Sequence, residues 1–373
     1  MKMKKILAVA SVVAVFVGTL TGCGKTGGTG GTEQGTEQAE TNTKSESTLK
    51  NLNVGYLPSP GHLLYFIAQE EGYFKEEGLD INLVMFGENN SELAALESGK
   101  IDVGAFGSSE LVTFLADGHD LSVFAGAMKA GHGIIVKDSL VEGIPKEDWS
   151  LELLVGKTIG VEGVDSGHIV YRDALKKLGY GDDDVTFLVF EDGAEAYASL
   201  KNDDIDAAIL YAPYRILAED EGYTILSNSG DVDGFHEHVC CRQAALTSKI
   251  EEDPDTYKAF LRALIKAYKF YKEDHEKSID DIAVYVDVDK ELLKADTYDY
   301  DDEIANPDPD IANMTNFYEA LVDLDFVKQF DIGKSLTADL YEQALNEIIE
   351  ENPDDEVYKH LAEYHENSAS VSE

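Results

Sequence analysis

From about residue 49 onward, the chain alternates short apolar runs with stretches in which apolar side chains recur at helical spacing. The first apolar runs have the length and composition of buried strands: Leu52 to Leu57, Ile81 to Phe86, Ile101 to Phe106 and Leu121 to Ala127. Glycines stand where the intervening helices are expected to end, at Gly72, Gly99 and Gly118. Strands that alternate with helices are typical of a mainly parallel sheet covered by helices, so the pattern predicts an α/β fold.

The apolar pattern repeats itself at an offset of about 104 residues. Three blocks return in the same order: Gly61-His62-Leu63 as Gly167-His168-Ile169, residues 81–86 as 185–190, and residues 101–105 as 205–209. One such match arises easily by chance, whereas three matches in the same order indicate two related α/β lobes.

The connections between these lobes set their boundaries. A stretch that contains several glycines, residues 124–136, leaves the first lobe and enters the second, and residues 239–246 have the pattern of a strand that returns. We predict a first lobe of residues 49–130 and 239–373 and a second lobe of residues 131–238, joined by two hinge crossings. The chain from Pro254 onward is helical in pattern, and we expect its helices to brace the first lobe.

The N-terminus has the parts of an export signal. Three lysines precede an apolar run, residues 6–20, that is shorter than the roughly 20 residues needed to cross a bilayer. Leu20-Thr21-Gly22-Cys23 resembles the bacterial lipobox, which predicts a signal peptide over residues 1–22 and lipidation of Cys23. Residues 23–48 contain almost no apolar side chains and are predicted to be a flexible tether. The alternative is a secretory signal that contains a cysteine by coincidence.

Composition narrows the possible partners. The formal net charge is −43, so we expect neither nucleic acid nor an anionic membrane surface to bind the chain by charge. Cys240 and Cys241 are adjacent, and Cys-x-x-Cys spacing is absent, which argues against a zinc ribbon. We interpret both as buried strand thiols.

In open α/β sheets, ligands bind beyond the carboxyl ends of the strands, where helix N-termini offer free N–H groups. The candidate ligand contacts are His62, Ser108, Ser109, Ser166, His168, Glu191, Tyr211 and Tyr214 at these loops, and His132 at the crossing between the lobes. The serines fit helix capping as well as ligand contact, and the tyrosines fit the core as well as the wall of a site. His62 and His168 occupy equivalent turns of the repeat, so we expect them to approach one ligand from opposite sides.

Catalytic and metal chemistry have little support. The chain contains no Gly-x-Ser-x-Gly elbow, no P-loop and no His-Glu-x-x-His motif, so we predict no catalytic residue and no cofactor. His236 and His238 have a metal-like spacing, but the other histidines are dispersed, and we predict no metal site.

Four blocks of sequence suggest a family: Gly72 to Asp80 (GYFKEEGLD), Leu96 to Gly104 (LESGKIDVG), Gly156 to Val161 (GKTIGV) and His238 to Cys241 (HVCC). Together they resemble the extracytoplasmic solute-binding proteins of ABC importers, in the nitrate, sulfonate and taurine group that includes NMT1/THI5-like and SsuA-like proteins. The resemblance extends over residues 51–270, and the first two blocks are the most specific.

This resemblance implies a two-lobed type II periplasmic-binding-protein fold that closes by hinge motion around one small molecule. The implied partners are an ABC permease and its ATPase, the implied location is the extracytoplasmic face of the cell membrane, and a monomer is expected. The cleft loops hold few arginines, with Arg215 the nearest, but N–H groups, serines and histidines also hold small anions. The favoured ligand is therefore an organic anion of the sulfonate, nitrate or taurine type.

Three alternatives stay open at this point. The ligand could be an aromatic heterocycle such as a thiamine-pyrimidine or flavin precursor. The chain could be an enzyme of the pyrimidine-precursor synthase kind on the same fold, or a lipoprotein that senses its ligand and signals to a membrane receptor.

Overall fold

The computed structural model of the protein describes residues 49–299 and 304–369. The predicted signal peptide, the lipidation site Cys23 and the tether lie outside the described residues. Within the described ranges, no helix combines the length and the apolar character that a membrane crossing requires.

Strands and helices alternate as the apolar pattern predicts. In chain order, the strands are β1 (Lys50–Tyr56), β2 (Leu79–Met85), β3 (Gly104–Gly107), β4 (Leu121–Lys129), β5 (Gly133–Lys137), β6 (Thr158–Glu162), β7 (Thr186–Phe190), β8 (Ala207–Leu210), β9 (Tyr223–Asn228) and β10 (Val239–Leu246). The helices are α1 (Leu63–Glu70), α2 (Tyr73–Glu76), α3 (Asn89–Glu97), α4 (Ser108–Ala116), α5 (Asp138–Val141), α6 (Ser166–Lys177), α7 (Gly193–Lys201), α8 (Tyr214–Asp220), α9 (Thr247–Glu252), α10 (Pro254–Glu273), α11 (His275–Ile282), α12 (Lys290–Lys294), α13 (Ile311–Asp323), α14 (Asp339–Glu351) and α15 (Glu356–Ser368).

The sheets confirm the predicted α/β class. In the first lobe, β1 pairs with β2 in parallel, and β10 lies between β3 and β4 and runs antiparallel to both. In the second lobe the strand order is β7-β6-β8-β5-β9, with β6 parallel to β7 and β8, and β5 antiparallel to β8 and β9. The sheets are more mixed than predicted, because β5 and β10, the strands that follow the two crossings, run against their neighbours.

The chain turns sharply where it crosses between the lobes after β4. Ala130 and Gly131 have φ angles of 54° and 91°, and the Ala130 N–H donates to the carbonyl oxygen of His238 at 2.7 Å. A C-terminal segment, residues 304–310, also lies along β4: the N–H groups of Gly126 and Lys129 donate to carbonyl oxygens of this segment at 2.9 and 2.7 Å. The crossing is therefore bonded to a part of the chain far away in sequence.

Helices bury the two sides of the sheets. The apolar stripe of α10 is buried as predicted, and it packs with α1 and β1 in one core cluster. A second cluster contains side chains of α4 and α6 together with Met314 and Phe317 of α13. Helix α13 thus contacts both lobes, where we expected the C-terminal helices to brace the first.

Candidate functional site

The N-terminus of α4, at the carboxyl end of β3, presents two buried hydroxyl groups. Ser108 and Ser109 are fully buried, and neither Oγ has a hydrogen-bond partner among the described residues. The cap position is Gly107, which has no side chain to bond the first turn. The serines therefore do not serve as caps, and their hydroxyl groups are available to a bound molecule.

Glu110 lies on the first turn of the same helix and was not among the predicted contacts. Burial raises the pKa of its carboxyl group to about 7, and the charges of Asp165, Cys240 and Glu162 add to the effect. Since Asp165 and Glu162 belong to the second lobe, Glu110 lies where the two lobes meet.

His132 stands at the centre of this meeting point, directly before β5. It is buried, its Nε2 lies 3.5 Å from Oδ1 of Asp165, and its ring centroid is 5.2 Å from that of Tyr211. Burial alone lowers the pKa of His132, but the neighbouring Cys240 thiol and the charges of Asp165 and Glu162 raise it to about 9. The ring is therefore a cation at neutral pH.

The loop before α6 supplies Asp165 and Ser166. Asp165 is the N-cap, because its Oδ1 accepts the His168 N–H at 2.8 Å. Ser166 is buried at the first helical position, and its side chain lies beside the sulfur of Cys240. Ser166 is thus a residue of the cleft, whereas the capping role considered for it belongs to Asp165.

His168 turns away from this group. Its Nδ1 bonds the carbonyl oxygen of Gly163 at 2.9 Å, and its ring lies 5.1 Å from that of Phe187 and 5.7 Å from that of Phe326. Arg172 reaches its Nε2 at 3.3 Å. The structure therefore does not bring His168 together with His132.

His62 has a similar local role in the first lobe. Its Nδ1 accepts the Leu57 N–H at 3.0 Å, and burial lowers the pKa of the imidazole to about 4. With Tyr65 and Gln243 it lines a narrow pocket beside β4. His62 is a neutral side chain that fixes the loop before α1.

The remaining predicted contacts come from the carboxyl ends of the second-lobe strands. The Tyr211 ring lies tilted beside that of His132, and its hydroxyl group is near the carboxyl group of Glu162. Tyr214 packs against Tyr197, with 6.1 Å between the ring centroids. Glu191 is exposed, and its backbone N–H donates to Glu195 at 3.3 Å. Tyr211 faces the group around His132, and the Tyr214 ring lies close to Oε2 of Glu162, since a Cβ on Gly193 would meet both.

A buried ion pair lies at one side of the region where the two lobes meet. Nη2 of Arg215 donates to Oδ1 of Asp296 at 2.8 Å, and both side chains are almost fully buried. Asp296 belongs to a π-helical turn, Ala295–Asp299. Arg215 was the predicted nearest arginine, but its charge is matched by a carboxylate from the C-terminal region.

The adjacent cysteines also reach this region. Cys240 is buried beside His132 and Ser166, and Cys241 is half-buried, with their sulfur atoms 3.6 Å apart. Cys240 is thus a buried strand thiol, as predicted, and it packs in the first-lobe core cluster beside the polar side chains where the lobes meet.

We use "the cleft cluster" for the polar side chains that interact here, together with the two serines that precede Glu110 on the first turn of α4: Glu110, His132, Glu162, Asp165, Ser166, Tyr211 and Cys240, with Ser108 and Ser109. Sequence reasoning found the serines and Tyr211 from the strand-to-helix loops and His132 from the crossing between the lobes. It missed Glu162 and Glu110, which stand four positions and one position from a predicted contact, and it placed Asp165 in a cleft loop without choosing it as a contact. Across the described ranges, no three His, Cys, Asp or Glu side chains are placed to hold a metal ion.

Comparison with known proteins identifies a family that the chain matches. Residues 59–278 match the family model described as NMT1/THI5 like. The taurine-binding periplasmic protein of Escherichia coli is 28% identical over 208 residues, which are 55% of this chain and 62% of that protein. The formylaminopyrimidine-binding protein of Halalkalibacterium halodurans is 27% identical over 250 residues, which are 64% of this chain and 72% of that protein.

One enzyme and one solved structure are also similar. A 4-amino-5-hydroxymethyl-2-methylpyrimidine phosphate synthase of Saccharomyces cerevisiae is 30% identical over 158 residues, which are 42% of this chain and 44% of that enzyme. The periplasmic aliphatic sulphonate binding protein SsuA of Escherichia coli superposes with a TM-score of 0.66 at 19% identity, covering 78% of this chain and 99% of that structure. The superposition confirms the periplasmic-binding-protein fold.

Proposed function

The chain belongs to the NMT1/THI5-like family, and on that premise we propose that it captures one small molecule between its lobes and delivers it to an ABC permease and ATPase. Two-lobed proteins of this fold suit the task, because a ligand that contacts both lobes favours their closed arrangement. The taurine-binding and formylaminopyrimidine-binding relatives support the same role.

The observation that carries the proposal is a set of buried polar atoms that have no partner among the described residues. Ser108 Oγ and Ser109 Oγ come from the first lobe, and His132 Nδ1 and Glu162 Oε2 come from the second. Buried polar atoms are nearly always hydrogen-bonded, and an unpaired one costs roughly 1–3 kcal/mol. A small molecule that bonds these atoms satisfies both lobes at once.

The charge of the cleft cluster favours a ligand with a donor group. Its carboxyl groups are those of Glu110, Glu162 and Asp165, which outnumber the imidazolium of His132, and the guanidinium of Arg215 is already paired with Asp296. Nitrate or a plain alkanesulfonate gains little from such surroundings. An anion that also bears an amino group fits better, as does an amino-substituted pyrimidine whose ring lies against Tyr211.

Matched ligand pairs test the requirement for a donor group by calorimetric titration. We expect taurine or an aminopyrimidine to bind, and the counterparts without the amino group, such as ethanesulfonate, to bind at least about ten-fold more weakly. The physical reason is the loss of a charge-assisted hydrogen bond, which contributes about 1.5–3 kcal/mol.

A matched pair of variants locates that bond. Glu162→Gln keeps the size of the side chain and removes its charge, so it should weaken binding by the same about 1.5–3 kcal/mol. Glu219→Gln, at an exposed position of α8, is the control and should bind like the wild type. Equal affinities for taurine and ethanesulfonate, with no effect of Glu162→Gln, would mean that the ligand needs no donor group and is a plain sulfonate.

The rival functions give different outcomes. A synthase would convert or consume a bound pyrimidine, which chromatography of the incubated ligand detects. A sensor would bind as tightly as a transport protein but would not support uptake, so uptake of labelled ligand by cells with and without the protein separates the two.

A further inference from the structure

The C-terminal part of the chain is bonded to β4 at two places. Residues 304–310 accept backbone hydrogen bonds from this strand. Past α13, the Thr337 N–H donates to the carbonyl oxygen of Val123, also in β4, at 3.0 Å. We use "the C-terminal strap" for residues 304–337, which include α13. Because both of its ends are fixed to β4, a movement of the first lobe carries the strap with it.

Helix α13, in the middle of the strap, packs on the second lobe. The side-chain amide of Asn316 donates to the carbonyl oxygen of Gly234 at 2.7 Å, and the ring centroid of Phe317 lies 6.5 Å from that of Phe235. Phe317 is fully buried and shares a core cluster with side chains of α6. The strap therefore makes both polar and apolar contacts with the lobe to which it is not fixed.

The turn after α13 makes a second contact with the second lobe. The ring centroid of Phe326 lies 5.3 Å from the guanidinium carbon of Arg172 and 5.7 Å from the ring centroid of His168. A guanidinium beside an aromatic ring is attracted to the face of that ring. Lys176 of the same helix, α6, donates to the backbone oxygen of Asp323. One face of α6 is thus covered by the strap.

A third contact joins the lobes outside the strap, through the ion pair of Arg215 and Asp296. The Arg215 side chain packs on β5, where a Cβ on Gly133 would lie 3.1 Å from its Cδ. The turn that holds Asp296 is fixed to α10 of the first lobe, because the Tyr271 hydroxyl group donates to the carbonyl oxygen of Thr297 at 3.1 Å. The two charges therefore come from opposite lobes, and each side chain is only 1% exposed.

These three contacts oppose a hinge motion that the backbone crossings would allow. A hinge needs only a few residues that absorb a change in backbone angles, and Ala130 and Gly131 stand at one crossing. The contacts of α13, Phe326 and the ion pair join surfaces that such a motion would separate. Since a buried charge that loses its partner is strongly unfavourable, small openings that keep the pair away from water are disfavoured.

We propose that the C-terminal strap and the pair of Arg215 and Asp296 together hold the two lobes in one arrangement without help from a ligand. Opening of the cleft then requires the strap to part from α6 and the ion pair to separate. A ligand that contacts both lobes adds to an arrangement that the chain itself favours, so these contacts set how readily the cleft opens for entry and release.

Small-angle X-ray scattering of the full chain, without added ligand, measures this effect. The parent chain carries Cys23→Ser and is refolded from denaturant, which removes bound small molecules. The triple variant Asp296→Asn, Asn316→Ala and Phe326→Ala removes one group from each of the three contacts. We expect its radius of gyration to exceed that of the parent by at least about 1 Å, because hinge rearrangements move domains by more than about 2 Å.

Two matched controls change groups of the same kind that do not face the second lobe. Phe330→Ala removes a ring that packs on Tyr318 of the strap itself, with 4.9 Å between the ring centroids. Glu291→Gln removes an exposed carboxylate from α12, close in sequence to Asp296. Both controls should keep the radius of gyration of the parent, and circular dichroism should show that every variant keeps its helix content.

A folded triple variant with the radius of gyration of the parent overturns the proposal, as does an equal increase in either control. If the loss of the Asp296 charge prevents folding, the double variant Asn316→Ala and Phe326→Ala decides the question, since neither substitution changes a charge. An increase in its radius of gyration supports the proposal, and an unchanged value overturns it. No ligand enters the measurement, so its outcome does not depend on the proposed transport role.

Discussion

His62 and His168, which the repeat places at equivalent turns, have the same local role. Each uses Nδ1 to bond a backbone group five residues earlier, the N–H of Leu57 at 3.0 Å and the carbonyl oxygen of Gly163 at 2.9 Å. The sequence was sufficient to find this pair because the repeat preserves the turn. It could not show which atoms the rings use, since the ring orientation depends on neighbours such as Phe326 that are distant in sequence. Ligand contact by either ring stays a prediction.

At the scale of single residues, we expect the titration of His62 to make the free energy of unfolding depend on pH. Its folded-state pKa of about 4 lies below the ordinary value of 6.5. The unfolded chain therefore binds a proton more readily between these values, so stability is fully present above about pH 6.5 and falls as the pH drops toward 4, by up to about 3 kcal/mol.

Urea unfolding at about pH 7.5 and about pH 4.5 measures this loss. In His62→Asn, the side-chain oxygen still accepts the Leu57 N–H but nothing titrates, so the variant should lose less stability on acidification than the wild type. Parallel losses in both proteins would show that other groups cause the pH dependence.

Among the elements, the segment of residues 304–310 is the one that the sequence could not predict. It lacks the pattern of a strand, with prolines at 307 and 309, yet its backbone bonds β4 at Gly126 and Lys129. Strand patterns report side-chain burial, whereas this segment is held by backbone contacts that only the folded chain creates. The strands of the two lobes were predictable because their apolar runs are short, buried and repeated.

This close approach makes Gly126 a sensitive position. A Cβ there would lie 2.1 Å from the carbonyl oxygen of Asp308 and 2.4 Å from that of Asn306, and both are backbone atoms that cannot move aside alone. We expect Gly126→Ala to lower the free energy of unfolding by about 1–3 kcal/mol, the usual cost of overpacking.

The control is Gly87→Ala, since an added Cβ at Gly87 meets nothing within 4 Å. Chemical denaturation of both variants should show a loss of stability in the first and a change within about 0.5 kcal/mol in the second. A wild-type midpoint for Gly126→Ala would mean that the segment can shift away from β4 at little cost.

For the molecule as a whole, the two-lobed fold followed from the period of the apolar residues and from the internal repeat, both of which are properties of neighbouring positions. Only part of the cleft cluster could be predicted from the sequence. Asp296 pairs with Arg215 across 81 positions of sequence, and no local pattern indicates such a partner. The sign of the charge between the lobes therefore required the structure, and our proposal of an anion that also bears a donor group rests on it.

Attachment to the membrane is a separate prediction at this scale. If Cys23 is lipidated, the wild-type protein should partition into the detergent phase of a Triton extraction, and Cys23→Ser should stay in the aqueous phase or remain uncleaved. Identical partitioning of the two proteins would show that Cys23 does not anchor the protein through lipid.

Native mass spectrometry of the full chain, after incubation with a small-molecule extract of the cells that make it, tests the central claim most directly. We predict one added small molecule per protein, lost under denaturing conditions, strongly reduced in Glu162→Gln and unchanged in Glu219→Gln. The same protein mass under native and denaturing conditions, or an adduct that Glu162→Gln retains in full, would contradict capture of a ligand by the cleft cluster.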